Sequence, residues 1–147
     1  MIRLVVDASV AVKWFLRDSD EEKDVVPALD LLIGVGKNSI ELIQPPHWMA
    51  EVTAVLSRLQ PDLADEAIDL LDAMEIPTTE DGNLYKLASH LAAELNHHLF
   101  DTLYHALAIQ EKATLVTADH RYYRKSKQHG SICMLVDFEF EPARSYS

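Results

Sequence analysis

Cysteine is nearly absent from the sequence: Cys133 stands alone among 147 residues. A lone cysteine excludes an intramolecular disulfide and suits a reducing cytoplasm. No Cys/His spacing matches a structural zinc site, and His97-His98 reads as a solvated pair. No apolar run is long enough to cross a bilayer, so no membrane association is expected. The N-terminus lacks a basic region followed by an extended apolar segment, which argues against a signal peptide. Basic charge is also scarce, with 13 Lys and Arg against 24 Asp and Glu and a formal net charge of −11. That balance argues against a broad basic surface for duplex DNA. A nuclease remains open, because acids gathered at one site raise the count and metal ions neutralise them locally. There is no internal repeat and no low-complexity linker. One domain over residues 1–147 is expected, with a loose tail from about residue 139.

What is present is apolar material, 48% of residues, patterned as strands between helices. Ile2 to Val6 is short, continuous and β-branched, a buried strand. Ser9 is placed to cap a helix running to about Leu16. A second helix is predicted over residues 20–33, with Pro27 a disturbance near its start and Gly34 and Gly36 at its end. "SIELIQPP" is a strand closed by prolines. Met49, Val52, Val55, Leu56 and Leu59 follow helical spacing. Pro61 fits the first turn of the next helix. "EIPTT" is a weak strand. Two further helices follow, in "DGNLYKLASHLAAEL" and from near Asp101. "TLVTAD" is a buried strand, "HRYYRKSKQHG" a short basic helix and "ICMLVDF" the last strand. Strands separated by helices predict an α/β fold, a three-layer α/β/α sandwich around a mostly parallel sheet.

In such a sheet ligands bind beyond the carboxyl ends of the strands. Asp7 follows the first strand directly, and Asp119 follows "TLVT" in the same way. Asp101 opens a helix of about 11 residues, roughly 16 Å long at 1.5 Å per residue. The next strand spans roughly the same length. The start of the helix and the end of that strand therefore share one edge, which places Asp101 near Asp119. Glu51 lies in the early turns after the second strand, again at this edge. Each acid alone has an ordinary reading: Asp7 or Asp101 as a helix cap, Asp119 as a turn residue, Glu51 as a solvated helix acid. Four acids at one edge would repel each other without protonation or a cation. Their oxygens are hard ligands suited to Mg²⁺ or Mn²⁺.

"VVDASVAVKWF", "HWMAEVTAVL", "FDTLYHALA" and "TLVTAD" resemble, in order and spacing, the four acidic motifs of PIN-domain proteins. The likeness is greatest to the VapC-type toxins of toxin–antitoxin pairs, and it extends from Met1 to about Phe138. The resemblance implies an α/β/α fold and metal-dependent RNA cleavage, with Asp7, Glu51, Asp101 and Asp119 as the acidic site binding one or two ions. It adds Thr117, a hydroxyl just before the last acid, as a metal or water ligand. It also implies an antitoxin partner and a homodimer. Some members carry a further acid or amide after the last one; here His120, Arg121 and Tyr122 follow instead.

RNA must approach an acidic site on an acidic protein, so local basic groups matter. Arg121, Arg124 and Lys125 follow Asp119, while Ser9 and Lys13 lie on the helix that starts at Asp7. These five are the substrate-side candidates. Tyr122 and Tyr123 offer stacking surfaces for unpaired bases, or pack on the core. His90 and His105 are not expected to act as bases. Two rival readings remain. One is a phosphohydrolase with a strand-end Asp nucleophile, which usually wants a second Asp where Ser9 stands. The other is a binding module of the same fold that cuts nothing.

Overall fold

The computed structural model describes residues 1–16 and 24–139. Strand β1 (Ile2–Val6) leads into a short helix α1 (Ala8–Ala11) and a 3₁₀ turn over Val12–Trp14. The chain continues through α2 (Val25–Gly36), β2 (Ile40–Leu42), α3 (Trp48–Leu59), α4 (Pro61–Ala73) and α5 (Gly82–Leu95). It then forms α6 (Leu99–Gln110), β3 (Thr114–Thr117), α7 (His120–Ser126) and β4 (Ile132–Met134). The four strands are parallel and ordered β2-β1-β3-β4. The chain passes from β1 to β2 on one side, then crosses back past β1 to β3 and on to β4; α2 packs by β2, α6 on β1 and β3, and α7 by β4. The result is the expected three-layer α/β/α arrangement. No helix among the described residues is long and apolar enough to cross a membrane.

Strand β1 sits between two neighbours and is covered on both faces, so Leu4, Val5 and Val6 are all buried. Leu115 and Val116 of β3 fill the core beside them. Chain order reverses between β1 and β3, a switch point at which parallel sheets have their crevice, at the carboxyl ends of the strands. That crevice is where Asp7 and Asp119 emerge.

Several elements differ from the sequence expectation. The first helix is capped by Asp7 rather than Ser9, and it tightens to 3₁₀ geometry after Ala11. Tightening brings Trp14 inward, where its Nε1 donates to the Ala28 carbonyl at 2.9 Å. Helix α2 starts at Val25 and keeps Gly34 and Gly36 within its last turn. Pro27 falls in its first turn, where the missing N–H costs nothing. The earlier part of that expected helix, residues 20–23, lies outside the described residues, as does most of the expected tail. "EIPTT" forms only an isolated bridge, Thr78 with Gln44.

Gln44 explains why. Its backbone N–H bonds Pro77 O at 3.0 Å, and its carbonyl accepts from Thr79 N at 3.1 Å. Its buried side chain turns the other way. Oε1 accepts from Val6 N at 2.9 Å, and Nε2 donates to Val6 O at 2.8 Å. One amide thus replaces a ladder residue on the last position of β1, directly before Asp7.

The buried His105 joins α6 to α7. Its Nε2 lies 2.8 Å from Gly130 O and its Nδ1 2.9 Å from Tyr122 Oη. A carbonyl only accepts, so Nε2 carries the proton and Nδ1 accepts from the tyrosine. Burial holds the His105 pKa below the usual histidine value. Tyr122 is therefore a core residue and not a stacking surface.

Both buried polar groups can be tested through stability. Gln44→Leu leaves both Val6 backbone groups unpaired and should lower unfolding free energy by about 2–4 kcal/mol in urea denaturation. A change under about 0.5 kcal/mol would contradict the role given to the amide. For His105, the unfolded chain takes up a proton near pH 6.5, the folded chain only at lower pH. Stability is therefore full above about pH 6.5 and falls as pH drops through it. The fall should be shallower in His105→Gln, and equal slopes in both proteins would refute the buried neutral state.

Candidate active site

Asp7 leaves β1 in extended conformation and caps α1, its Oδ1 accepting from Ser9 N at 3.1 Å. The same oxygen accepts a short bond from Ser9 Oγ, and Oδ2 accepts one from Thr117 Oγ1. Both hydroxyls are tied in turn to the chain leaving β3. Ser9 Oγ accepts from Ala118 N, and Thr117 Oγ1 from Asp119 N, each at 3.0 Å. Two parallel relays therefore run from the end of β3 to one carboxylate across the crevice. Burial is the main force pushing the Asp7 pKa up, to about 6. The Ser9 and Thr117 hydroxyls pull it down, while the Asp101 and Asp119 charges raise it further.

Glu51 lies in the first turn of α3. Its Oε1 accepts from Tyr104 Oη at 2.6 Å and lies 3.2 Å from His47 Nε2. Burial works to raise its pKa, but the bonds from His47 and Tyr104 hold it below the usual carboxylate value. Tyr104 is buried on α6 and stands among acids. Its hydroxyl pKa is driven far up by burial and by Glu51, with Asp7 and Asp101 adding repulsion. His47 is also braced by its Nε2 at 2.8 Å from Phe100 O and by ring contact with Tyr104 at 4.7 Å.

Asp101 lies in the first turn of α6 but does not cap it; His98 occupies that position. Its Oδ2 is 2.7 Å from His97 Nε2. His97 Nδ1 is 3.2 Å from Lys125 Nζ, and its ring packs against Tyr122 at 4.8 Å. The ammonium only donates, so Nδ1 accepts and Nε2–H points at Asp101. His97 is thus no solvated residue but a strut between α6 and α7. Asp119 caps α7, its Oδ1 accepting from Tyr122 N at 3.1 Å.

Of the remaining candidates, Lys13 lies on the 3₁₀ turn and is buried, unlike a surface lysine. Arg121 and Lys125 line a cavity with Asn96, His97 and His98. Arg124 is exposed on the same helix and does not line that cavity. Sequence reasoning missed His47, Tyr104 and His97. A usable signal existed for the two histidines: each stands four residues before an acid, as in "HWMAE" and "HHLFD", a spacing that brings side chains together on a helix.

Among the described residues, no three His, Cys, Asp or Glu side chains already close on one metal-sized gap. Each acid is engaged by a donor of the protein: two hydroxyls, a tyrosine with a histidine, a histidine, and a helix amide. Only one oxygen each of Asp101 and Asp119 is bonded among the described residues. The donor set nonetheless fits a hard divalent cation. Carboxylate oxygens share one edge, and the Asp101 and Asp119 charges both act on Asp7.

Solved structures share this fold, two of them as follows. VapBC2 from Rickettsia felis, bound to a DNA fragment from its promoter, aligns with a TM-score of 0.64 at 18% identity, covering 90% of this chain and 97% of that one. PAE2754 from Pyrobaculum aerophilum aligns with a TM-score of 0.64 at 17% identity, covering 92% and 90%. No functionally curated protein matches the chain in sequence. The family model of the PIN domain matches residues 4–128, from the middle of β1 through α7. By that match, over most of its length, the chain belongs to the PIN domain family.

Proposed function

We propose that the protein is a divalent-metal-dependent endoribonuclease and the toxin half of a toxin–antitoxin pair. One observation carries the reading: the Asp7 carboxylate is clamped at the β1/β3 crevice with two further acids raising its pKa. A protein that builds such a site benefits from a cation there, and PIN membership supports nuclease chemistry. Asp7 and Asp101 would be the central ligands of Mg²⁺ or Mn²⁺, one ion or two. Glu51 and Asp119 would complete the shell or orient water, with Thr117 fixing Asp7. The ion would supply Lewis-acid activation of water and neutralise charge on the scissile phosphate. Water oxygen joins phosphorus, and the bond to a ribose oxygen breaks.

The chain's own residues set the geometry. The hydroxyl relays from Ala118 N and Asp119 N lock the Asp7 rotamer. Tyr104 and His47 hold the Glu51 side chain, and His97 holds Asp101. A phosphohydrolase reading wants a second acid where Ser9 stands, and the Ser9 hydroxyl is bonded to Asp7 instead. Likeness in fold to a VapBC complex supports an antitoxin partner. So does an apolar cavity of about 190 Å³ lined, among the described residues, by Trp14, Phe15, Leu32, Met74 and the half-exposed Leu70. The same face suits a homodimer. The whole sequence would act as one such domain, in the reducing cytoplasm that a lone cysteine suits.

Incubation with total RNA tests the reading. Cleavage should require Mg²⁺ or Mn²⁺ and stop with chelator. Asp101→Asn should lower the cleavage rate on the order of 100-fold with its unfolding midpoint kept. Metal-independent cutting, or full activity in Asp101→Asn, would refute it, and no cutting under any condition would favour the silent binding module. Tyr104→Phe removes only the bond that orients Glu51. It should lower kcat roughly tenfold with KM little changed, and an unaltered kcat would remove Tyr104 from the site.

A further inference from the structure

A protein of net charge −11 that acts on a polyanion needs a place where the substrate meets positive charge. One cavity supplies it. It is about 260 Å³ and, among the described residues, lined by Asn96, His97, His98, Arg121 and Lys125, none of them apolar or acidic. That volume lies just below the roughly 300–1,000 Å³ of sites that enclose whole small molecules. It suits a phosphate with part of its sugar.

The donors here are only partly used. Lys125 Nζ gives one proton to Asn96 O at 3.1 Å and one to His97 Nδ1 at 3.2 Å, leaving a third. Arg121, one helical turn before it on α7, is exposed and makes no hydrogen bond or ion pair among the described residues. Its planar fork matches phosphate oxygens. The cavity also touches the acidic site through a single ring: His97 bonds Asp101 with Nε2 and Lys125 with Nδ1.

We infer that this cavity is a subsite for the internal phosphodiester next to the scissile one in single-stranded RNA. Arg121 and Lys125 grip that phosphate, and His97 fixes the subsite at a set distance from Asp101. The inference rests on the nuclease reading above, since it takes Asp101 as the mark of the cleavage position. A strand crossing the acids then has its neighbouring phosphate where the protein offers unpaired donors, and repulsion from the acids is offset one nucleotide away. Arg124, outside the cavity, adds only diffuse charge.

The test is binding of a short single-stranded oligoribonucleotide in chelator, where no cleavage interferes, across a salt series. Arg121→Gln and Lys125→Gln should each weaken binding about tenfold. Each should make the slope of log affinity against log salt shallower, and the double variant by about 0.7, the share of the one phosphate they grip. Lys37→Gln, at the opposite edge of the sheet after α2, should change neither. Equal losses in all three variants would reduce the effect to net charge and overturn the subsite, as would unchanged affinity in the cavity variants. Strands with and without a 5′-phosphate should be affected alike; a loss confined to the phosphorylated strand would overturn the internal assignment. If the variants keep RNA affinity but release a co-expressed partner protein, the subsite is overturned and the cavity serves an acidic protein segment instead. Asp101→Asn should still bind RNA in chelator. Cavity-dependent binding by a wild-type protein that never cuts would sink the nuclease reading and leave the anion site standing.

Discussion

Negative charge held at a strand end, below the surface and close to more negative charge, is the constraint around which this molecule is arranged. The Asp7 carboxylate cannot turn away, because Ser9 and Thr117 hold one oxygen each. Those hydroxyls cannot turn away either, because the backbone N–H groups of Ala118 and Asp119 hold them. The clamp therefore joins β1 to the segment leaving β3, the two strands that flank the crevice of this parallel sheet. Without the sheet the relays have no fixed ends, and without the relays the carboxylate relaxes toward water.

The surrounding acids are organised by a second rule: each is held by a donor from another residue of the fold. Tyr104 on α6 reaches Glu51 on α3, and Lys125 on α7 reaches Asp101 on α6 through His97. Such partners orient a carboxylate and fix which oxygen it presents. They also explain how a crevice with several acids stays folded, since every bond to a donor offsets part of the repulsion. The buried Gln44 clasp on Val6 extends the same support one residue back from Asp7.

Much of this is legible in residue order. Continuous β-branched runs mark β1 and β3, and helical spacing marks α3, α4 and α5, because burial imposes those periods directly. The placing of Asp7 and Asp119 at strand ends, and of Asp101 opposite them, needs only element lengths. Bonds between distant segments are not legible. Nothing local in "ELIQPP" says that Gln44 will bond Val6 across 38 positions, or that "EIPTT" will shrink to a single bridge as a result. The apolar pattern of the first helix continues to Leu16, which makes it look longer than it is, whereas burying Trp14 against Ala28 O requires a tighter turn. A His-His pair looks polar and solvated; the burial of His97 depends on Tyr122 and Lys125 arriving from α7.

If these carboxylates act together, they should take up a cation together. Electron paramagnetic resonance of Mn²⁺ titrated into the RNA-free protein reads that directly, independent of any substrate. The account predicts saturable binding by the wild-type protein that is lost in Asp7→Asn and Asp101→Asn alike, although these residues stand 94 positions apart in the sequence. Absence of binding, or binding that survives both substitutions, would contradict it.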